Sequence, residues 1–168
     1  LMEHRGIIDE IIGDGILAFF GAPEQLDNHA ASAVACALKM QAAMEEVNVG
    51  NEAEGLPRLE MGVAVNTGEV IVGNIGSEKR SKYGAVGLQV NFTGRAESFA
   101  VGGQVLVTKA TYEELSDILR VRKVLKVEMK GMSGKVELYD ITGIGEPYNV
   151  YLPENEETLV AIREMINV

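Results

Sequence analysis

A Gly-Asp-Gly turn set between two apolar runs is the feature that most constrains this chain. In "IIDEIIGDGILAFFGAP", Ile7 to Pro23, the triplet Gly13-Asp14-Gly15 is a tight-turn signal and predicts a β-hairpin. The same stretch carries three acids, Asp9, Glu10 and Asp14. Turn chemistry accounts for Asp14 without any ligand, because Asp and Gly tolerate positive φ, and an acid in a strand can simply face water. The hairpin alone therefore leaves Asp14 open between turn residue and ligand.

Composition narrows the classes. The 168 residues are one domain of ordinary size, long enough to bury a core, and with no Trp that core is aliphatic. A formal charge of −10 argues against binding nucleic acid, whose backbone asks for a basic surface. An anionic substrate would need a local basic cluster or bound cations. One cysteine and two histidines exclude a disulfide framework and argue against zinc. Cys36 in "AVACALKM" reads as a buried thiol. No stretch is long and apolar enough to span a bilayer and no signal peptide is visible, so a cytoplasmic domain without direct membrane insertion is expected.

Beyond the hairpin, Asp27 or Asn28 can cap a helix through "HAASAVACALKMQAAMEEVN", whose Ala30, Val34, Ala37, Leu38 and Met44 form a core-facing stripe. "LEMGVAVNTGEVIVGNIG" reads as a second hairpin turning at Thr67-Gly68, followed by a charged loop, "SEKRSK". The latter part of "YGAVGLQVNFTGRAESFA" reads as a helix and "GGQVLVTKA" as a strand. "TYEELSDI" reads as a short helix whose Thr111 and Glu114 have capping-box spacing. "LRVRKVLKVEMKG" and "KVELYDITGI" close the domain as paired strands, and "EETLVAIREMINV" reads as a terminal helix. Hairpins with helices inserted between them predict an α+β fold, a sheet covered by helices on one side. A phosphate-binding P-loop is absent: "GMSGK" carries Gly134-Lys135, but Met129 stands where that motif needs Gly.

"DEIIGDGILAFFGAP", "GVAVNTGEVIVGNIGSEKRSKYGAVG" and "VNFTGRAES" together resemble the class III nucleotidyl cyclase catalytic domain, the family of adenylyl and guanylyl cyclases. The resemblance spans residues 5 to 142 and agrees in order, spacing and turn chemistry. It implies a ferredoxin-like core sheet and a head-to-tail homodimer with composite active sites at the interface. Residues 1–145 are then the catalytic domain lacking its N-terminal part, and residues 146–168 a C-terminal extension. Linked sensor domains are expected, with this domain as the signalling output.

The resemblance also assigns roles. The aspartate of the Gly-Asp turn, here Asp14, would bind two Mg²⁺ or Mn²⁺ ions. These cations would lower the pKa of the ribose 3′-hydroxyl and neutralise the phosphates of GTP or ATP. The family's other metal aspartate lies on a strand well ahead of the hairpin. That strand either precedes Leu1 in a longer protein or is lacking, in which case the two-metal site is incomplete. Asn91 and Arg95 share a helix face; Asn91 would orient the ribose and Arg95 would stabilise charge on the α-phosphate. The bland alternative for Arg95 is a salt bridge to Glu97. Lys130 or Lys135 would grip the terminal phosphates, or each is a surface charge. Met132 stands near the usual Lys position, and Glu69 follows "NTG" where some members have a phosphate-binding Arg.

Two positions bear on the base. Glu10 stands where adenylyl cyclases usually have Lys. An ionised Glu is acceptor-only and suits guanine N1–H and N2 amino donors, whereas it opposes the acceptor at adenine N1. Gly84 stands where adenylyl cyclases commonly have Asp or Thr, and it leaves space for guanine O6. The pair leans towards GTP, with ATP as the alternative substrate and a catalytically silent regulatory module as the alternative class.

Overall fold

The computed structural model describes residues 1–77 and 80–153. In chain order its elements are β1 (Ile7–Ile12), β2 (Gly15–Phe19), α1 (His29–Ala53), β3 (Val63–Val65), β4 (Ile71–Ser77) and β5 (Arg80–Val86). There follow α2 (Leu88–Glu97), β6 (Val105–Thr108), α3 (Lys109–Leu115), β7 (Leu119–Glu128), β8 (Lys135–Ile144) and β9 (Val150–Tyr151). The central sheet has the order β3-β6-β8-β7, with β9 also paired to β8. The two hairpins, β1-β2 and β4-β5, form separate two-stranded sheets.

Alternation along β6 organises the core. Val105 and Val107 point to one face, against Val34 and Leu38 of α1 and the aromatic and leucine side chains of α3. Leu106 points the other way, to Ala96 of α2, Met129 and Leu138. The α+β class holds, with α1 and α3 on one face of the sheet and α2 on the other. The helix begun by Asn28 is longer than its sequence stripe suggests, and Cys36 within it is buried. Asn28 is the N-cap residue, but its side chain donates to the Tyr148 hydroxyl at 2.6 Å instead of capping the helix.

Three expectations are corrected. First, β3 does not turn back onto β4. It pairs in parallel with β6, Val63 opposite Val105, while β4 pairs antiparallel with β5 from Ile71 opposite Val86 to Ser77 opposite Arg80. The parallel pairing places Val63–Val65 against the buried run of β6. Asn66, just before the residues read as a turn, joins a polar junction: Thr108 donates to Asn66 Oδ1 at 2.7 Å, and Asn66 Nδ2 donates to Gln89 Oε1 at 2.9 Å. Second, α3 starts one turn earlier than the capping box places it, with Thr108 as N-cap. Thr111 is fully buried inside that helix, its hydroxyl 3.0 Å from that of Thr67. Third, "SEKRSK" is not a loop throughout, because Ser77 closes β4 and Arg80, Ser81 and Lys82 open β5. The Gly-Asp hairpin forms as expected. Ile12 pairs with Gly15, so Gly13 and Asp14 are central, and only Gly13, at φ 63°, takes a positive angle. That is the type II′ arrangement with Gly first, and it makes no demand on Asp14. The terminal helix read in 156–168 lies outside the described residues.

Neither β2 nor β3 has a second strand neighbour among the described residues. A mostly apolar cavity of about 410 Å³ lies between them, lined by Leu17, Phe19, Ala37, Val63 and Val65 among others.

A buried ionic group ties β6, β7 and β8 together. Asp140 is fully buried; Arg122 donates to its two oxygens at 2.9 and 3.1 Å, and Gln104 adds a bond at 3.0 Å. Burial pushes the Asp140 carboxyl up, and Arg122 pulls it back. Arg122→Met should therefore cost about 3–5 kcal/mol in urea unfolding, because a buried carboxylate loses its partner. Adding Asp140→Leu should recover most of that loss. A single variant within about 1 kcal/mol of the parent would show that water reaches the carboxylate.

Candidate active site

The predicted site residues fall into two groups. The first lies where the hairpins meet. β1 carries a bulge: Ile8 pairs with Ala18 and Glu10 with Leu17, so Asp9 is the extra residue. A bulge re-aims side chains that strict alternation would send to opposite faces. Asp9 is 3% exposed and Glu10 is 52% exposed, yet both reach the same ammonium, Lys82 Nζ, at 3.1 and 3.4 Å. Asp9 Oδ2 also accepts the Ala85 N–H at 3.1 Å. Contact with Asp9 raises the Lys82 ammonium above its ordinary value, and Glu10 adds to the effect.

Gly84 is buried in β5 directly against Asp9. A Cβ at this position would collide with Asp9 Oδ1. The space left by the missing side chain is thus filled by a carboxylate from the neighbouring hairpin. Asp14 stands fully apart from this cluster, exposed at the hairpin tip.

The second group lies where α2 meets the end of β7. Asn91 and Arg95 are one helical turn apart and both exposed. Arg95 does not pair with Glu97. Its Nη1 donates to the Lys130 carbonyl at 2.7 Å, which brings Arg95 and Lys130 together. Gly131, at φ 81°, turns the chain closely past that guanidinium. Lys135 opens β8 opposite Glu128, across the same turn, and is exposed. Asn66 and Gln89 fix the start of α2, so the junction around "NTG" positions the helix that carries Asn91 and Arg95. Among the described residues no hydrogen bond or ion pair joins Asp14 to Asn91 or Arg95.

The exposed Asp14 carboxylate is a hard oxygen donor, the chemistry that would suit magnesium or manganese. Among the described residues no three His, Cys, Asp or Glu side chains converge on a cation-sized space. They therefore fit one carboxylate contact to a metal–nucleotide and do not by themselves build a two-cation cage. Sequence alone gives Asp9 and Lys82 no role beyond a strand acid and a loop charge. Adjacent residues of a regular strand face apart, and nothing in "IIDEII" marks the bulge.

Comparison with known proteins shows the family and the fold. Residues 3–143 match the family described as the adenylate and guanylate cyclase catalytic domain. Adenylate cyclase 1 of Rhizobium meliloti is 30% identical over 148 residues, covering 87% of this chain and 22% of that protein. The terminal-differentiation-specific adenylate cyclase of Dictyostelium discoideum is 32% identical, over 84% of this chain and 7% of that protein. The chain thus spans well under a third of the length of these relatives. Among solved structures, the guanylyl cyclase Cya2 superposes with a TM-score of 0.86 at 50% identity, covering 90% of this chain and 77% of that one. The adenylyl cyclase CyaB of P. aeruginosa gives 0.79 at 29% identity, covering 86% and 76%. With fold, motif order and most of its length in agreement, the chain belongs to the class III adenylyl and guanylyl cyclase catalytic domain family.

Proposed function

We propose that this domain is a guanylyl cyclase, converting GTP to cyclic GMP and pyrophosphate as the output domain of a larger signalling protein. The observation that carries the choice of base is Glu10, an acceptor-only carboxylate on an exposed strand, tied to Lys82. Guanine offers two adjacent donors to such a group, whereas adenine offers an acceptor. The likeness to a guanylyl cyclase at 50% identity supports the same reading. That several named relatives are adenylate cyclases favours ATP as the alternative.

In the proposed reaction the ribose 3′-oxygen forms a bond to the α-phosphorus, the bond from that phosphorus to the oxygen bridging to the β-phosphate breaks, pyrophosphate leaves with the electron pair, and the hydroxyl proton passes to solvent water. Asn91 holds the ribose. Arg95, with one N–H given to the Lys130 carbonyl, keeps its remaining donors for the α-phosphate oxygens. Lys130 and Lys135 hold the terminal phosphates. Divalent cations bound at Asp14 would supply charge neutralisation, the need that an acidic chain with an anionic substrate creates.

A homodimer with shared sites, one subunit supplying Asp14 and the other Glu10, Gly84, Asn91 and Arg95, fits the exposed place of Asp14 at its hairpin tip. It also fits the exposed apolar side chains on and beside the hairpins: Ile11, Ile12, Ile16, Ile71 and Leu88 are each more than half exposed. Among the described residues no helix is long and apolar enough to cross a membrane. The competing reading of a silent regulatory module, favoured by Glu69 standing where some members have a phosphate-binding Arg, predicts no cyclic nucleotide from either substrate.

Two experiments test the proposal on the full-length protein with Mg²⁺ or Mn²⁺. Asp14→Asn and Arg95→Ala should each abolish cyclisation, and mixing the two should restore activity through heterodimers with one intact site. An inactive mixture with demonstrated subunit exchange would overturn the shared site. Glu10→Lys should lower the ratio of cyclic GMP to cyclic AMP formed from equal GTP and ATP by at least about tenfold, since guanine donors would face a cation. An unchanged ratio with activity retained would remove Glu10 from the base.

A further inference from the structure

We propose that Tyr148 is a positioning residue for the β1-β2 hairpin, fastening its root to the start of α1 and so setting where Asp14 stands. This rests on the reading that Asp14 acts in cyclisation. Tyr148 lies beyond residues 3–143, the part of the chain that matches the family. The segment that carries it is nonetheless built onto the domain. The Gly145 N–H donates to the Ile118 carbonyl, β9 pairs with the end of β8, and the Leu152 N–H donates to the Thr142 carbonyl. Within that segment the Tyr148 and Asn149 N–H groups both donate to the Gly145 carbonyl, and Asn149 closes the turn at φ 50°. Asn adopts that conformation more readily than most residues, so Tyr148 is presented from a fixed turn.

The hairpin needs a second fastening. Neither of its strands belongs to the central sheet, and Asp9 holds β1 to β5 at one place, the Ala85 N–H and the side chain beside it. One fixed point leaves a hairpin free to pivot; another at its root sets its direction. The root is closed tightly. A Cβ at Gly6, just ahead of β1, would meet the Phe20 ring at 2.7 Å, and one at Gly21, just after β2, would meet His29 Cβ at 3.3 Å. The two ends of the hairpin are thus gathered at the start of α1, and Tyr148 stands there. Its hydroxyl accepts a bond from Asn28 Nδ2 at 2.6 Å and lies 3.0 Å from the Oγ of buried Ser32. Its ring stacks with that of His4, which precedes β1, at a centroid distance of 6.5 Å. An N-cap asparagine ordinarily bonds its own helix, whereas Asn28 serves Tyr148. Asp14 is at the far tip, where a rotation at the root is largest, and a misplacement of about 1 Å is enough to slow a reaction strongly.

The test combines amide hydrogen exchange, without metal or nucleotide, and GTP cyclisation with Mn²⁺, both on the full-length protein. Tyr148→Phe keeps the ring and removes the hydroxyl. Exchange over residues 7–19 should rise by about fivefold or more, the scale of one lost hydrogen bond, while β6 and β8 keep their parent rates. In the assay kcat should fall by about fivefold or more with KM changed by less than about twofold, as for a group misplaced in the transition state. Asn28→Ala removes the same contact from the other side and should act alike, and the double variant should be no worse than either single one. A rise in exchange confined to residues 145–152, or no rise, would show that Tyr148 fastens only its own segment and overturn the role. A loosened hairpin with unchanged kcat would overturn it as well. A parent protein that makes no cyclic nucleotide would refute the cyclase reading alone, while exchange over residues 7–19 still decides whether Tyr148 holds the hairpin.

Discussion

The Asp9 carboxylate is where the functional half of the molecule is held together. Both hairpins lie outside the central sheet, so sheet hydrogen bonding does not fix their mutual position. Asp9 reaches across from β1, accepts the Ala85 N–H and fills the volume over Gly84. A carboxylate that is 3% exposed is tolerated only with partners, because its desolvation is costly. Its partners are a backbone amide and the Lys82 ammonium, both from β5. The glycine at position 84 is then a consequence of where the neighbouring carboxylate sits.

That arrangement can be peripheral because the core is complete without it. Val34 and Leu38 of α1 bury fully against Val105, Val107 and Ile141, and Leu106 and Leu138 close the opposite face. Each such side chain contributes on the order of 1.5–3 kcal/mol, enough for the sheet and its helices to set the frame. Asp140, Arg122 and Gln104 lock three of the strands at one polar point inside that apolar frame. The frame in turn delivers α2, with Asn91 and Arg95, to the end of β7, where Arg95 meets the Lys130 carbonyl.

Legibility from sequence followed the range of the forces involved. The Gly-Asp hairpin, α1 and the β7-β8 pair are encoded by local periodicity and turn residues, and all three were readable. The partner of β3 was not, because Val63–Val65 is three residues long and its parallel pairing with β6 depends on a distant run. The capping-box reading of Thr111 failed because burial and the hydroxyls of Thr67 and Thr108 outweighed a local motif. At the site, resemblance names Glu10, Asp14, Gly84, Asn91 and Arg95 as candidates, and the fold shows only where each lies. The Asp9–Lys82 link was not legible, since it needs a bulge that puts neighbours in sequence onto one cation.

The same link changes how base selection can be altered. Treated as independent positions, Glu10 and Gly84 invite an exchange to Lys and Asp to favour adenine. In this fold, Lys at position 10 would place a second ammonium beside Lys82, a like-charge contact that Asp9 alone must balance. Asp at position 84 would compete for volume that Asp9 already occupies. On the proposed reading of Glu10 as the base contact, Asp9, Lys82 and Gly84 are coupled to it through one buried carboxylate, so an exchange at positions 10 and 84 has to relieve Lys82 and Asp9 as well.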